Sequence, residues 1–151
     1  MTLNYKNVVY EMRRLLPVLN TLYIKELNEL WEENGTIPPH VAFGNILNPY
    51  LINLLQINHE LTDSEDKLLV IIFGFIEKMA LSNDVDVRNV VSTTVMARLG
   101  DDTTVLTNAL KYLGEQTKVL SKEIEASYGR SGNLKILDQL TGNVSSIKHR
   151  K

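Results

Sequence analysis

Neighbouring carboxylates are the residues of this sequence whose types and spacing could support chemistry. They form the pairs Glu32-Glu33, Glu65-Asp66 and Asp101-Asp102. Two carboxyl groups can divide the roles of general acid and general base when apolar surroundings raise the pKa of one of them. None of these pairs has such surroundings in the sequence, and the second and third pairs stand where acidic residues stabilise the start of a helix. The sequence therefore predicts no catalytic residues and a protein that is not an enzyme.

Metal and cofactor sites are also not expected. The three histidines are far apart, and only His59-Glu60 with Asp63 brings metal-capable side chains close together in sequence. The chain has no cysteine and no glycine-rich phosphate loop. Such a lone group at a helix start is typical of capping, so we expect no metal and no cofactor.

Glu77 is an acidic residue with several apolar neighbours, which include Phe73, Phe75 and Met79. Two explanations stay open for it. The carboxylate can form a structural pair with Arg88 or Arg98, or it can be a functional group in a partly buried position.

The charge of the chain changes sign near its end. Residues 1–129 carry 17 acidic and 11 basic side chains, whereas residues 130–151 carry five basic side chains and Asp138. A helix-turn-helix over 87–113 would present Asp101 and Asp102 to the phosphates of DNA, which would repel them. Nucleic acid is therefore an unlikely partner.

The sequence predicts neither export nor membrane insertion. Its N-terminus is polar where a signal peptide would be apolar. The longest apolar run, residues 68–76, is much shorter than the roughly 20 residues that span a bilayer. The absence of cysteine fits a reducing compartment, so the expected location is the cytoplasm.

Helical periodicity positions these side chains nearly everywhere in the chain. Apolar residues recur at steps of three and four, and no strand-like alternation appears. A capping box at Thr62–Glu65 precedes an apolar helix that we expect to be central, and Asp101-Asp102 begins a long helix that ends at Gly129. The predicted class is all-α, with five to seven antiparallel helices in a compact bundle or a short HEAT-like array of helical hairpins. The expected core residues are Leu22, Leu27, Leu69, Ile72, Phe73, Ile76, Val91, Val95, Leu106, Leu110 and Leu113.

Residues 1–142 are predicted to form one helical domain and residues 143–151 a flexible basic tail. The length suits a single domain. The last apolar patch, residues 134–140, should dock on the body of the domain or on a partner subunit, whereas the tail offers little apolar surface to bury.

Three segments carry a resemblance to a known group of proteins. They are residues 37–45 (IPPHVAFGN), 73–80 (FGFIEKMA) and 84–91 (DVDVRNVV). Together they resemble a small all-helical bacterial family of mostly uncharacterised proteins, several of which are similar to immunity proteins of contact-dependent or polymorphic toxin systems. The resemblance extends over about residues 7–129 and implies no catalytic residues. The chain departs from that pattern at Ala97-Arg98-Leu99, where an acidic residue is usual.

The expected function is a non-catalytic protein-binding module. Its specific form would be an immunity-type inhibitor that covers a basic toxin or enzyme with an acidic face. The alternative is a helical scaffold or regulatory subunit that assembles with itself into a homo-oligomer. Two helix starts separated by two chain reversals should return to the same end of a bundle, so the expected partner-binding residues are Glu60, Asp63, Glu65, Asp66, Asp101 and Asp102.

Overall fold

The chain folds as a bundle of helices. We describe it from a computed structural model, in which residues 2–30, 36–56 and 60–138 are described. The helices are α1 (Val8–Leu15), α2 (Asn20–Leu30, after a 3-10 turn Pro17–Leu19), α3 (39–55), α4 (Asp63–Ala80), α5 (85–99), α6 (Thr103–Ala109, continued by a 3-10 turn Leu110–Tyr112), α7 (Glu115–Ser127) and α8 (131–138). The all-α prediction is confirmed. Over the described ranges there are eight helices and no strand, against the five to seven helices expected.

Several helix ends follow from local chemistry that the sequence displays. Thr62 and Glu65 form the predicted capping box, in which each side chain accepts a hydrogen bond from the backbone N–H of the other residue. Asp84 begins α5 by accepting from the N–H of Asp86. Gly129 ends α7 with φ of 69°. The N–H groups of Gly129 and Arg130 bond back to Ala126 and Glu125, which is the Schellman pattern.

The long helix expected over 103–129 is instead two helices. The chain leaves the helical conformation at Leu113 and Gly114 before α7 begins. The carboxylate of Glu77 accepts hydrogen bonds from the N–H of Gln116 and from the N–H and hydroxyl of Thr117. Glu77 therefore caps α7 from a distant helix, and the structural explanation holds with a different partner from the arginines expected.

Two helices contain wide π-helical turns that no pattern in the sequence predicts. One is Phe43–Leu47 in α3, which ends two residues before Pro49. A proline ring clashes with the carbonyl group of the preceding turn, and we infer that the wider turn makes room for this ring. The other is Val90–Met96 in α5, where β-branched side chains crowd an ordinary helix. The two π segments contact each other.

The core lies where α3, α4, α5 and α7 meet. Seven of the eleven expected core residues are buried: Leu69, Ile72, Phe73, Ile76, Val91, Val95 and Leu106. Leu27, Leu110 and Leu113 are half-buried. Leu22 is 44% exposed, so its prediction was wrong. The apolar helix α4 is also less enclosed than expected, because its outer face exposes Val70 and Ile71.

The end of the described chain packs on the body of the bundle. In α8, Leu137 is fully buried and Leu134 and Ile136 are half-buried. Lys122 of α7 forms an ion pair of 3.0 Å with Asp138. Docking of this patch was expected, although Leu140 and the predicted basic tail, residues 143–151, lie outside the described residues.

Candidate functional site

An acidic cleft opens between the end of α3, the start of α4 and the end of α6. We define it by Glu60, Asp63 and Asp66 on its acidic side, Leu54, Leu55 and Leu61 on its apolar side, and Asn108, Lys111 and Tyr112 opposite. Its volume is about 390 Å³. The cleft brings together three of the six residues expected to bind a partner. Glu65, which follows in the same helical turn, is held in the capping box.

The wall of the cleft formed by Tyr112 is held in place on two sides. Its ring stacks on Phe73 with 5.8 Å between centroids and 12° between planes. Its hydroxyl donates a hydrogen bond of 2.6 Å to Oδ1 of Asp66. The side-chain amide of Asn108 donates a hydrogen bond of 2.6 Å to the carbonyl of Leu55, one of the last carbonyls of α3, which have no partner within the helix. The cleft is therefore a preformed feature that links three helices.

Burial is the largest cause that raises the pKa of Tyr112, to about 12. The hydrogen bond to Asp66 and the charge of that carboxylate are the smaller causes and account for the rest of this rise. Both effects favour the neutral phenol over the phenolate.

We expect this shift to appear as a loss of stability in alkali. The pKa of Tyr112 is higher in the folded state than in the unfolded state, so its contribution is fully present below pH 10 and is lost as the pH rises towards 12. Urea unfolding at pH 8, 10 and 11 measures this loss. In the variant Tyr112→Phe, the free energy of unfolding should fall less between pH 8 and 11 than in the wild type. An equal fall in both proteins would contradict the raised pKa of Tyr112.

The other two expected site residues lie elsewhere. Asp102 caps the first turn of α6 by accepting hydrogen bonds from the N–H groups of Thr104 and Val105. Asp66 instead contacts Tyr112, which follows Asp102 by ten residues and lies just beyond the end of α6. Ten helical residues span about 15 Å. The expectation that these acids share one end of the bundle was therefore wrong, because α6 runs from the first group to the second.

Asp101 belongs to an ionic network rather than to an open acidic face. Its Oδ1 accepts a hydrogen bond of 2.6 Å from Arg130, and Arg98 lies 3.6 Å from its Oδ2. Arg130 also donates to the fully buried carboxylate of Glu125 and to the carbonyl of Ala97. The hydrogen bond to Glu125 is the main cause that raises the pKa of Arg130 above its ordinary value, so the guanidinium stays charged.

Asn133 of α8 completes this network. Its amide donates hydrogen bonds of 2.6 Å to Glu125 and 2.8 Å to the carbonyl of Gly100. A Cβ atom at Gly100 would collide with the buried carboxylate of Glu125, so the close approach requires glycine at this position. The hydrogen bonds of Arg130 and Asn133 therefore connect α5, α7 and α8.

The histidines form no metal site in the part of the chain that the structure describes. His40, in the first turn of α3, hydrogen-bonds to Thr94 in the π segment of α5, a pairing that no sequence signal indicated. No group of three potential metal ligands is present among these residues, and His59 lies outside them. None of the helices described is long and apolar enough to cross a membrane.

Comparison with known proteins identifies the family of the chain. A family model described as a domain of unknown function, DUF7674, matches residues 13–129. The protein therefore belongs to this family, whose matched region includes the acidic cleft and most of the ionic network. No curated protein and no solved structure matches the chain.

Proposed function

We propose that this protein is a non-catalytic binding module whose acidic cleft contacts a basic surface of another protein. The observation that carries the proposal is the convergence of Glu60, Asp63 and Asp66 on one preformed cleft with an apolar side. A lysine or arginine side chain fits such a site, because its methylene stem packs on the leucines while its charge meets the carboxylates.

The proposed form of this activity is that of an immunity-type inhibitor, which covers a basic toxin or enzyme in the cytoplasm. The excess of acidic residues over 1–129 supports a basic partner. Complementary charges chiefly raise the association rate, while apolar contacts slow dissociation. Stoichiometric binding needs no reacting group. It is therefore compatible with carboxylates that are already engaged, such as Glu65 in the capping box and Asp101 with Arg130.

The test measures binding of a synthetic peptide that alternates lysine and leucine over twelve residues. The variant Glu60→Gln/Asp63→Asn removes two charges from the rim and leaves the bond between Asp66 and Tyr112 intact. The matched control Glu29→Gln/Glu123→Gln removes two charges from exposed positions outside the cleft. We expect one-to-one binding, with severalfold slower association and a smaller salt dependence in the cleft variant alone. Equal effects of the two double variants would contradict the proposal.

Self-assembly is the second candidate, and one observation favours it. Leu15, Val18 and Leu22 are 39%, 51% and 44% exposed and recur at steps of three and four around the junction of α1 and α2. Exposed apolar side chains that form one patch mark contact sites. Light scattering over a range of protein concentrations separates the two candidates, because a scaffold would form a defined oligomer that Leu22→Ser weakens.

A further inference from the structure

A second groove, of opposite charge, lies beside the N-terminal helices. We name it the tyrosine groove and define it by Tyr5, Lys6, Tyr10, Arg13, Tyr23 and Pro38. Its volume is about 380 Å³. This is the lower end of the roughly 300–1,000 Å³ range of ligand pockets, so the groove accommodates a few residues of a peptide.

The two cations of the groove have no acidic partner in the described chain. The guanidinium of Arg13 lies 3.9 Å above the ring of Tyr23, and its Nε donates to Asn20 at 3.1 Å. Lys6 is exposed. The next arginine, Arg14, is by contrast paired with Glu11 at 2.8 Å. Uncompensated positive charge in a body with an excess of acids is a specific local feature, and it favours an anionic ligand.

The aromatic side chains of the groove also have unused binding capacity. Tyr10 is 64% exposed, whereas Tyr23 is 5% exposed and Tyr5 is half-buried. None of their hydroxyl groups has a hydrogen-bond partner among the described residues. Tyrosine and arginine are enriched among the residues that contribute most of the binding energy of protein interfaces, since both supply rigid contact area together with hydrogen-bond donors.

We propose that the tyrosine groove binds a short extended segment of a partner protein that carries two acidic side chains. The carboxylates of this segment pair with Lys6 and Arg13, and its apolar side chains pack on the tyrosine rings. Aromatic rings with basic residues also suit single-stranded nucleic acid, but a strand requires a longer basic track. The groove offers two cations within an acidic body, so an acidic peptide is the better match. This inference is independent of the acidic cleft.

The experiment uses the full chain with 3-fluorotyrosine at its six tyrosines, whose fluorine resonances are assigned by single Tyr→Phe variants. The probe is an acetylated hexapeptide that alternates glutamate and leucine. The comparison probes are the same peptide with lysine for glutamate, and a hexamer of thymidine. We expect the glutamate peptide alone to shift the resonances of Tyr5, Tyr10 and Tyr23 saturably, while those of Tyr50, Tyr112 and Tyr128 stay unchanged.

Charge variants test the assignment of the cations. Arg13→Gln and Lys6→Gln should each weaken binding of the glutamate peptide about tenfold, because each removes a charge-assisted hydrogen bond. Lys25→Gln makes the same charge change at an exposed position of α2 outside the groove. This variant should leave binding of the glutamate peptide unchanged. Circular dichroism confirms that each variant is folded. The cleft variant Glu60→Gln/Asp63→Asn should bind this peptide unchanged, which separates the two proposals.

Three results would overturn the inference. The first is the absence of saturable shifts at millimolar glutamate peptide. The second is equal weakening by Lys25→Gln and the two groove variants. The third is a preference of the same three tyrosines for the lysine peptide or the thymidine hexamer, which would assign the groove to a different ligand.

Discussion

Replacing Ile72 with alanine is expected to lower the free energy of unfolding by about 2–5 kcal/mol. Ile72 is 1% exposed and belongs to the set of buried side chains of α4. Its truncation removes buried methylene groups and leaves a cavity among helices that cannot fully close around it. A loss of this size is a large fraction of the roughly 5–15 kcal/mol by which a domain is usually stable.

The adjacent residue supplies a matched control. Ile71 has the same side chain in the same helix but is 44% exposed. Ile71→Ala should therefore cost well under half as much, since most of its surface is already in water in the folded state. Urea unfolding of both variants measures the difference as a shift of the midpoint at constant slope. Similar losses at the two positions would show that the buried face of α4 is misassigned.

The contrast between these neighbours also shows where sequence periodicity loses information. The spacing of apolar residues predicted α4 and its buried residues Leu69, Ile72 and Phe73. The same apolar excess could not show which face of this central helix is exposed, because an isoleucine on the outer face looks identical in sequence to one on the inner face. Leu22 was misassigned for the same reason. Its neighbour Tyr23 is the buried residue instead.

The acidic residues show a second limit of the same kind. Capping motifs are local, so Thr62 and Glu65, Asp84 and Asp102 could be predicted from the few residues around them. The partners of Glu77 and Asp101 are 39 and 29 residues away in sequence. The sequence gives the charge of such residues but not their neighbours. Asp101 was therefore grouped with a binding surface, although it pairs with Arg130.

Replacing Glu125 with alanine is expected to lower the free energy of unfolding by about 3–5 kcal/mol, because it removes the buried carboxylate to which both Arg130 and Asn133 donate. The side chain of Glu125 is fully buried and that of Arg130 is 25% exposed. Arg130 donates from Nε to both carboxylate oxygens, at 3.0 and 2.9 Å. Asn133 donates to the same carboxylate, so the variant leaves both donors without this acceptor.

Glu123 provides the control for the loss of charge. It lies two residues earlier in α7 and is exposed, so Glu123→Ala should change stability by less than about 0.5 kcal/mol. The double variant Glu125→Ala/Arg130→Ala should be less destabilised than the sum of its two single variants, since the second change removes a cation that the first left unpaired. Urea unfolding of the four proteins and the wild type gives this coupling.

The network has a structural consequence that the same variants test. Asn133 connects Glu125 to the carbonyl of Gly100, so the position of α8 depends on the buried carboxylate. We therefore expect Glu125→Ala to raise the rate of amide hydrogen exchange within 131–138 more than within α4, as the least stable unit opens first. Uniform acceleration in both segments, or additive effects in the double variant, would mean that Glu125 supports the bundle as a whole and does not specifically hold α8.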